Sequence, residues 1–371
     1  MTSIIELPET VNALEPEEKK LFFRFFNVHR SIGRAVLPSE MKPWADKTFG
    51  SAESVEEQKI IKVFDKHLYE AALFNELRAK RPMQAKEKRL DFRKVVEESA
   101  HGPFSTPLSM TPEDVFGRVK GKHCISASNI SKYDGMHGLI IFNKHNPLDF
   151  NEKEVQDYFR TALKWFDKAH KSNKKAVYPF ILWNCLWRAA ASIIHGHMQV
   201  VLGEGLHYGE AENDNKARRE YYNRYKRDYF SDYYKAHQLV GLGLEHKGVK
   251  VFASLVPRKD KEITIISKKL DEKCVKAIYL VMDCFKKDLG VMSFNLSVVL
   301  PPLAPAPRQP QSGEESAKAS DWKDFPVIIR VIDRGSLSNK TTDVGGMEIY
   351  DMANVIPSDP YKVFNRVKAR F

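Results

Sequence analysis

The sequence predicts an α+β fold of two tandem β-β-α-β-β units with antiparallel sheets, preceded by a helical N-terminal extension. Two observations lead to that class. The apolar period changes twice in the same order after residue 122, and the 371 residues exceed the usual size of one domain. A third observation, the polar block His195-Gly196-His197-Met198-Gln199 in an apolar setting, says where the chemistry lies.

Residues 1–70 read as mainly helical and carry no recognisable catalytic spacing, so the expected boundaries are 1–70, 71–240 and 241–371. In the first unit the pattern predicts strands at 124–129 and 138–142, a helix from 152 to about 171, and strands at 178–185 and 193–202. The second unit repeats the order with strands at 249–256 and 262–267, a helix from 271 to about 289, and strands at 294–300 and 327–332. Each helix has a start signal: Asn151 precedes Glu154, a capping-box pair, and Asp271 is placed to cap the second. A repeat of this kind suggests a helix on one face of an antiparallel sheet, built twice about a pseudo-twofold axis.

Between the units, residues 213–239 interleave Arg218, Arg219, Arg224, Lys226 and Arg227 with Tyr221, Tyr222, Tyr225, Tyr229, Tyr233 and Tyr234. Basic residues alternating with aromatic ones can bind single-stranded nucleic acid by charge and stacking. The preferred reading is an amphipathic connecting helix whose tyrosines pack against the body. Residues 301–321 hold five prolines followed by a polar tract and read as a mobile surface loop.

The composition narrows the class. A net charge of +11 favours anionic partners such as nucleotides, phosphorylated sugars and nucleic acid, without choosing among them. The longest uncharged apolar stretch, 176–187, is too short for a span of ~20 residues, so no membrane partner is expected. The acidic N-terminal segment does not resemble a secretory signal, and Cys124, Cys185, Cys274 and Cys284 form no CxxC pair, so a cytoplasmic location is expected.

As a strand, the HGHMQ block would turn His195, His197 and Gln199 to one face. A neutral imidazole can attack phosphorus or bind a metal. Asn184 lies eight residues before Ser192, which lies three before His195, and this spacing resembles galactose-1-phosphate uridylyltransferase and its relatives in the histidine-triad superfamily. Further pieces are similar in the same order: 77–82 (LRAKRP), Ser128-Asn129, 142–145, 251–257 and Gly346-Met347-Glu348.

The resemblance implies two histidine-triad-like halves and a nucleotidyltransferase of carbohydrate metabolism. In it His197 attacks the α-phosphorus of a nucleotide sugar and forms a covalent nucleotidyl-imidazole. Gln199 and Ser192 then stabilise a phosphate oxygen, Arg78 and Arg81 meet a diphosphate or sugar phosphate, Asn129 and Asn184 orient ribose or phosphate, and Lys340 and Glu348 meet the sugar. The implied acceptor is a sugar 1-phosphate, or inorganic phosphate in a phosphorylase variant. Nucleic acid is not an expected partner, and a homodimer is implied.

Departures from the resemblance matter too. Zinc-bearing relatives use a CxxC pair, the first histidine of the HxH and one more histidine. Here Gly102-Pro103-Phe104-Ser105 stands where the cysteines belong. Of such a set His145 and His195 remain, and two imidazoles do not make a closed tetrahedral site. Zinc is therefore not expected, and His195 is assigned to orient the catalytic strand through a backbone hydrogen bond. Ala189-Ala190-Ala191 precedes Ser192 where relatives often have glycine, and Met198 follows His197 where the best-known members have a small residue. A noncatalytic nucleotide-binding protein is the rival from another class.

Overall fold

The computed structural model describes residues 2–82, 90–304 and 322–371. Most of the proline-rich stretch read as a surface loop, 305–321, lies outside the described residues. The first 70 residues correct the expectation of a mainly helical extension. They hold helices at Leu7–Asn12 and Pro16–Phe25, but also strands β1 (Phe26–Arg34) and β2 (Glu57–Asp65). The period of two explains β2: Ile61, Val63 and Asp65 are buried while Lys62 between them is exposed. With β3 (Ala71–Phe74) they form a four-stranded sheet, completed by a strand near the far end of the chain, Ala353–Ile356, which runs parallel to β3.

The next strands are β4 (Cys124–Ser128), β5 (Met136–Phe142), β6 (Ala176–Cys185), β7 (His197–Glu204), β8 (Gly243–His246), β9 (Val249–Ala253), β10 (Ile263–Ser267), β11 (Phe294–Val299) and β12 (Val327–Asp333). They make one nine-stranded sheet in the order β4-β5-β7-β6-β11-β12-β10-β9-β8. The units are therefore not separate sheets. The last strand in sequence of neither unit meets the other; instead β6 pairs antiparallel with β11, Asn184 opposite Asn295, so the strand order reads the same outward from this seam in both directions as far as β4 and β9.

One face of the sheet carries the helices Glu152–Ser172 and Glu272–Lys287. Asn151 caps the first, its side chain accepting from Glu154 N, and Asp271 caps the second, accepting from Cys274 N at 3.0 Å. Alternation sends Ile140, Met198, Ile181 and Trp183 into the layer beneath them, where Phe142 stacks on Tyr158 with ring centroids 3.8 Å apart. Each such fully buried side chain contributes about 1.5–3 kcal/mol.

The opposite face decides function. One register row crosses it: Ala127, Leu139, Gln199, Leu182, Ser297, Arg330, Thr264 and Phe252 are successive neighbours. In the second half this face is closed by the connecting helices Gly209–Tyr225 and Tyr229–Leu239. Arg330 donates to Asp214 of the first helix at 3.1 Å, and Arg258 donates to Glu70 of the N-terminal sheet at 3.2 Å. Tyr221, Tyr229 and Tyr234 are buried, with Phe25 stacked on Tyr221 at 5.0 Å, so most of the tyrosines serve packing. In the first half the same face stays open, and there the HxH block lies. No helix among the described residues is long and apolar enough to cross a membrane.

The strand carrying the block begins at His197 and not at 193. Gly196 directly precedes it in a tight space: a Cβ there would lie 2.7 Å from Phe142 Cδ2 and 3.3 Å from the Lys144 carbonyl. Phe142 is held in its stack and cannot yield. Gly196→Ala is expected to lower stability by about 1–3 kcal/mol, measured by urea unfolding, because overpacking forces neighbours from their places.

Candidate active site

Register places His197 beside Ile141 and Gln199 beside Leu139 on the open face. A segment around Phe104 and Met110–Pro112, the turn 128–133 and the loop 190–193 wall this part of the sheet into a cavity of ≈ 310 Å³. His197, Gln199, Asn129 and Ser192 all line it. His195 does not, because it precedes the strand and its ring is buried elsewhere.

His197 Nδ1 lies 2.7 Å from the carbonyl of His195, two residues back. A carbonyl only accepts, so the proton of the neutral ring is on Nδ1 and the lone pair is on Nε2. The ring of Phe104 meets it edge-on at 5.0 Å. Burial pushes the His197 pKa down, against the bond to the His195 carbonyl, which pulls it up, and the nearby His195 adds to the lowering. The site thus holds a neutral, singly oriented imidazole.

Gln199 is oriented by a residue that the sequence reading missed. His137 on β5 is fully buried, and its Nδ1 accepts from Tyr133 N at 2.9 Å, so its Nε2 carries the proton. That proton is donated to Gln199 Oε1 at 2.9 Å. The amide is fixed with its NH2 group away from His137. Asn129 Nδ2 lies 3.1 Å from the same His137 nitrogen and meets a proton there, while Asn129 Oδ1 accepts from Ser131 N at 3.0 Å. Burial lowers the His137 pKa and keeps the ring neutral. The alternation of His137, Leu139 and Ile141 was the signal that could have found it.

The histidines assigned to a metal do not fit one. His195 Nε2 lies 2.8 Å from the Phe142 carbonyl, and His145 Nε2 lies 2.8 Å from the Val96 carbonyl. Their Nδ1 atoms face each other at 3.1 Å. Phe104 occupies the segment where thiolates would stand, and the described residues contain no cluster of three or more ligands suited to a metal. The rings pack against each other behind the start of β7, which the His195 bond to the Phe142 carbonyl ties to β5.

The remaining predicted residues are elsewhere. Arg78, Arg81 and Glu348 line a second cavity of ≈ 390 Å³ together with Lys259, Arg334 and Asp343. Arg78 and Arg81 are exposed, while Glu348 accepts from Lys259 at 3.4 Å. Lys340 is exposed and lines neither cavity. Asn184 also lies outside the His197 cavity, its Oδ1 accepting from Asn295 Nδ2 at 2.6 Å.

No family model matches the sequence, and no curated protein matches it. Solved structures do match. An ADP-glucose phosphorylase from Arabidopsis thaliana with bound ADP-glucose superposes with a TM-score of 0.60 at 16% identity, over 80% of this chain and 95% of that one. A galt-like protein from the same plant gives 0.58 at 16% identity, over 73% of this chain and 92% of that one. A uridylyltransferase gives 0.54 at 14% identity, over 84% and 98%. The chain has the uridylyltransferase fold. At these identities the likeness is one of backbone, and the uridylyltransferase fold here carries its own side chains.

Because burial lowers its pKa from the ordinary ~6.5 of histidine, the neutral form of His197 outweighs the charged one at that pH. The midpoint of its acylation by diethyl pyrocarbonate, followed by peptide mass, is expected below the ordinary ~6.5. A midpoint at or above the ordinary value would contradict the burial effect.

Proposed function

We propose that this chain is a nucleotidyltransferase that moves a nucleoside monophosphate from a nucleotide sugar to a sugar 1-phosphate through a covalent intermediate on His197. The observation carrying this reading is the His197 ring itself: Nδ1 is committed to the His195 carbonyl and Nε2 is left open to a cavity shared with Gln199, Ser192 and Asn129. Nucleotidyltransferases and phosphorylases of the same fold make nucleotide ligands a natural expectation.

In this mechanism the Nε2 lone pair attacks the α-phosphorus. The bond from that phosphorus to the bridging oxygen breaks, and the sugar phosphate leaves with the electron pair. As Nε2 bonds to phosphorus the ring becomes cationic, and its Nδ1–H bond to the His195 carbonyl strengthens at that moment. The Gln199 NH2 group, turned from His137 by the fixed amide, donates to a non-bridging oxygen, as does the Ser192 hydroxyl. An acceptor phosphate oxygen then attacks phosphorus, the N–P bond breaks, and the neutral imidazole is regenerated.

One observation favours a second acceptor. Arg78, Arg81 and Glu348 do not line the His197 cavity, and a small acceptor such as inorganic phosphate does not need them. The reading includes the homodimer that the resemblance implies, and a cytoplasmic setting.

The test is to incubate the protein with UDP-glucose, ADP-glucose, GDP-sugars and a diadenosine polyphosphate separately, and to weigh the intact chain. An acid-labile gain of one nucleoside monophosphate is expected with one donor and is absent in His197→Gly. Discharge of that adduct by a sugar 1-phosphate or by inorganic phosphate identifies the acceptor. If no donor leaves an adduct and His197→Gly turns over like the wild type, the covalent mechanism is wrong. Gln199→Ala is expected to slow adduct formation by roughly 100- to 1000-fold, as loss of one oxyanion donor does.

A further inference from the structure

The loop between β6 and β7 is held in a shape that its residues do not favour. Leu186 has φ 66° and ψ 172°, and Ala190 has φ 63° and ψ 24°. Side chains with a Cβ rarely take left-handed angles, so outside contacts must hold them. Among the described residues, the side-chain hydrogen bonds that fix residues 184–189 all run to the second half. Ser293 Oγ donates to the Cys185 carbonyl at 2.7 Å, Trp187 Nε1 donates to the Leu337 carbonyl at 3.2 Å, and Arg188 Nη1 donates to the Thr341 carbonyl at 2.5 Å.

Asn295 is the hub of this set. Arg334 Nη1 donates to its Oδ1, and a guanidinium has no acceptor, so the amide has a single orientation. Its Nδ2 then donates to both Asn184 Oδ1 at 2.6 Å and the Ala189 carbonyl at 3.0 Å. Arg334 is itself fixed by a two-point pair with Asp343 at 2.7 and 2.9 Å.

We propose that Asn295 is a positioning residue, and that the second half is the clamp that holds the loop so that Ala190, Ala191 and Ser192 face His197. This inference rests on the nucleotidyl-transfer reading for its consequence, though not for its geometry. The half without an HxH strand then has a task in the chemistry of the other half. Asn295 touches no substrate and acts through the loop.

The test uses the full chain carrying Asn295→Asp, which keeps the acceptor for Arg334 but turns an oxygen toward two other oxygens. Backbone hydrogen exchange, read by peptide mass, is expected to quicken in residues 186–192 by about tenfold or more, with exchange in β6 and β7 unchanged. Adduct formation on His197 is expected to slow by roughly 10- to 100-fold, the scale of a small misplacement at a reacting centre. Trp187→Phe removes only the bond to Leu337 and is expected to show the same effects at smaller size, which keeps the test decisive if Asn295→Asp does not fold. Unchanged loop exchange in the folded variants overturns the clamp. Faster loop exchange with an unchanged adduct rate overturns the positioning role. Faster loop exchange in a protein whose wild type forms no adduct with any donor supports the clamp and defeats the transfer reading instead.

Discussion

The antiparallel pairing of β6 with β11 is the contact on which the rest depends. It turns two similar sets of strands into one sheet and lays Asn184 beside Asn295 across the seam. Every later feature uses that continuity. A single row of side chains runs from Ala127 to Phe252 across one face, and what covers the row differs between its ends. Over Arg330 the connecting helix brings Asp214 and closes the face with a buried ion pair. Over Gln199 there is only the segment around Phe104, and a cavity results. Among the described residues, the connecting helices thus cover the second half of this face and leave the His197 cavity in the first.

Within that cavity, orientation is handed along by groups that have no choice of role. A backbone N–H fixes the tautomer of His137, which fixes the amide of Gln199; a backbone carbonyl fixes the tautomer of His197. Burial acts with these bonds, since a dry pocket disfavours the charged form of each ring. The His145 and His195 pair belongs to the same logic. Their Nε2 atoms face backbone carbonyls, and through that of Phe142 the segment leading into β7 is tied to β5.

Much of this was legible in the sequence, for identifiable reasons. Most strands and helices from Cys124 to Asp333 were readable because the strands are apolar runs between turn residues, the two long helices have a period of 3.6, and Asn151 and Asp271 are plain caps; the short β8 was not read. The N-terminal strands were not, since helices flank them and β2 exposes three lysine or glutamate side chains that mask its alternation. His197 and Gln199 were found from spacing. His137 shared the local alternation of β5, but its contact with Gln199 and that of Asn295 with Asn184 exist only through pairing across strands distant in sequence. The same limit separates Arg78, Arg81 and Glu348 from His197: order along the chain singled them out but could not say which wall of the protein they would line.

The parallel pairing of β3 with the strand Ala353–Ile356 has a consequence for the order of folding. Loop closure over such a separation is slow, and during synthesis the N-terminal sheet lacks its fourth strand until residue 356 has emerged. The hairpin of β1 and β2 and the short β3 must wait with an unpaired edge. Arg78 and Arg81 follow β3 directly, so the arginine-lined cavity is assembled only when the chain's last segment docks. A truncated or nascent chain would complete the wall that holds His197 before it completes the one that holds these two cations.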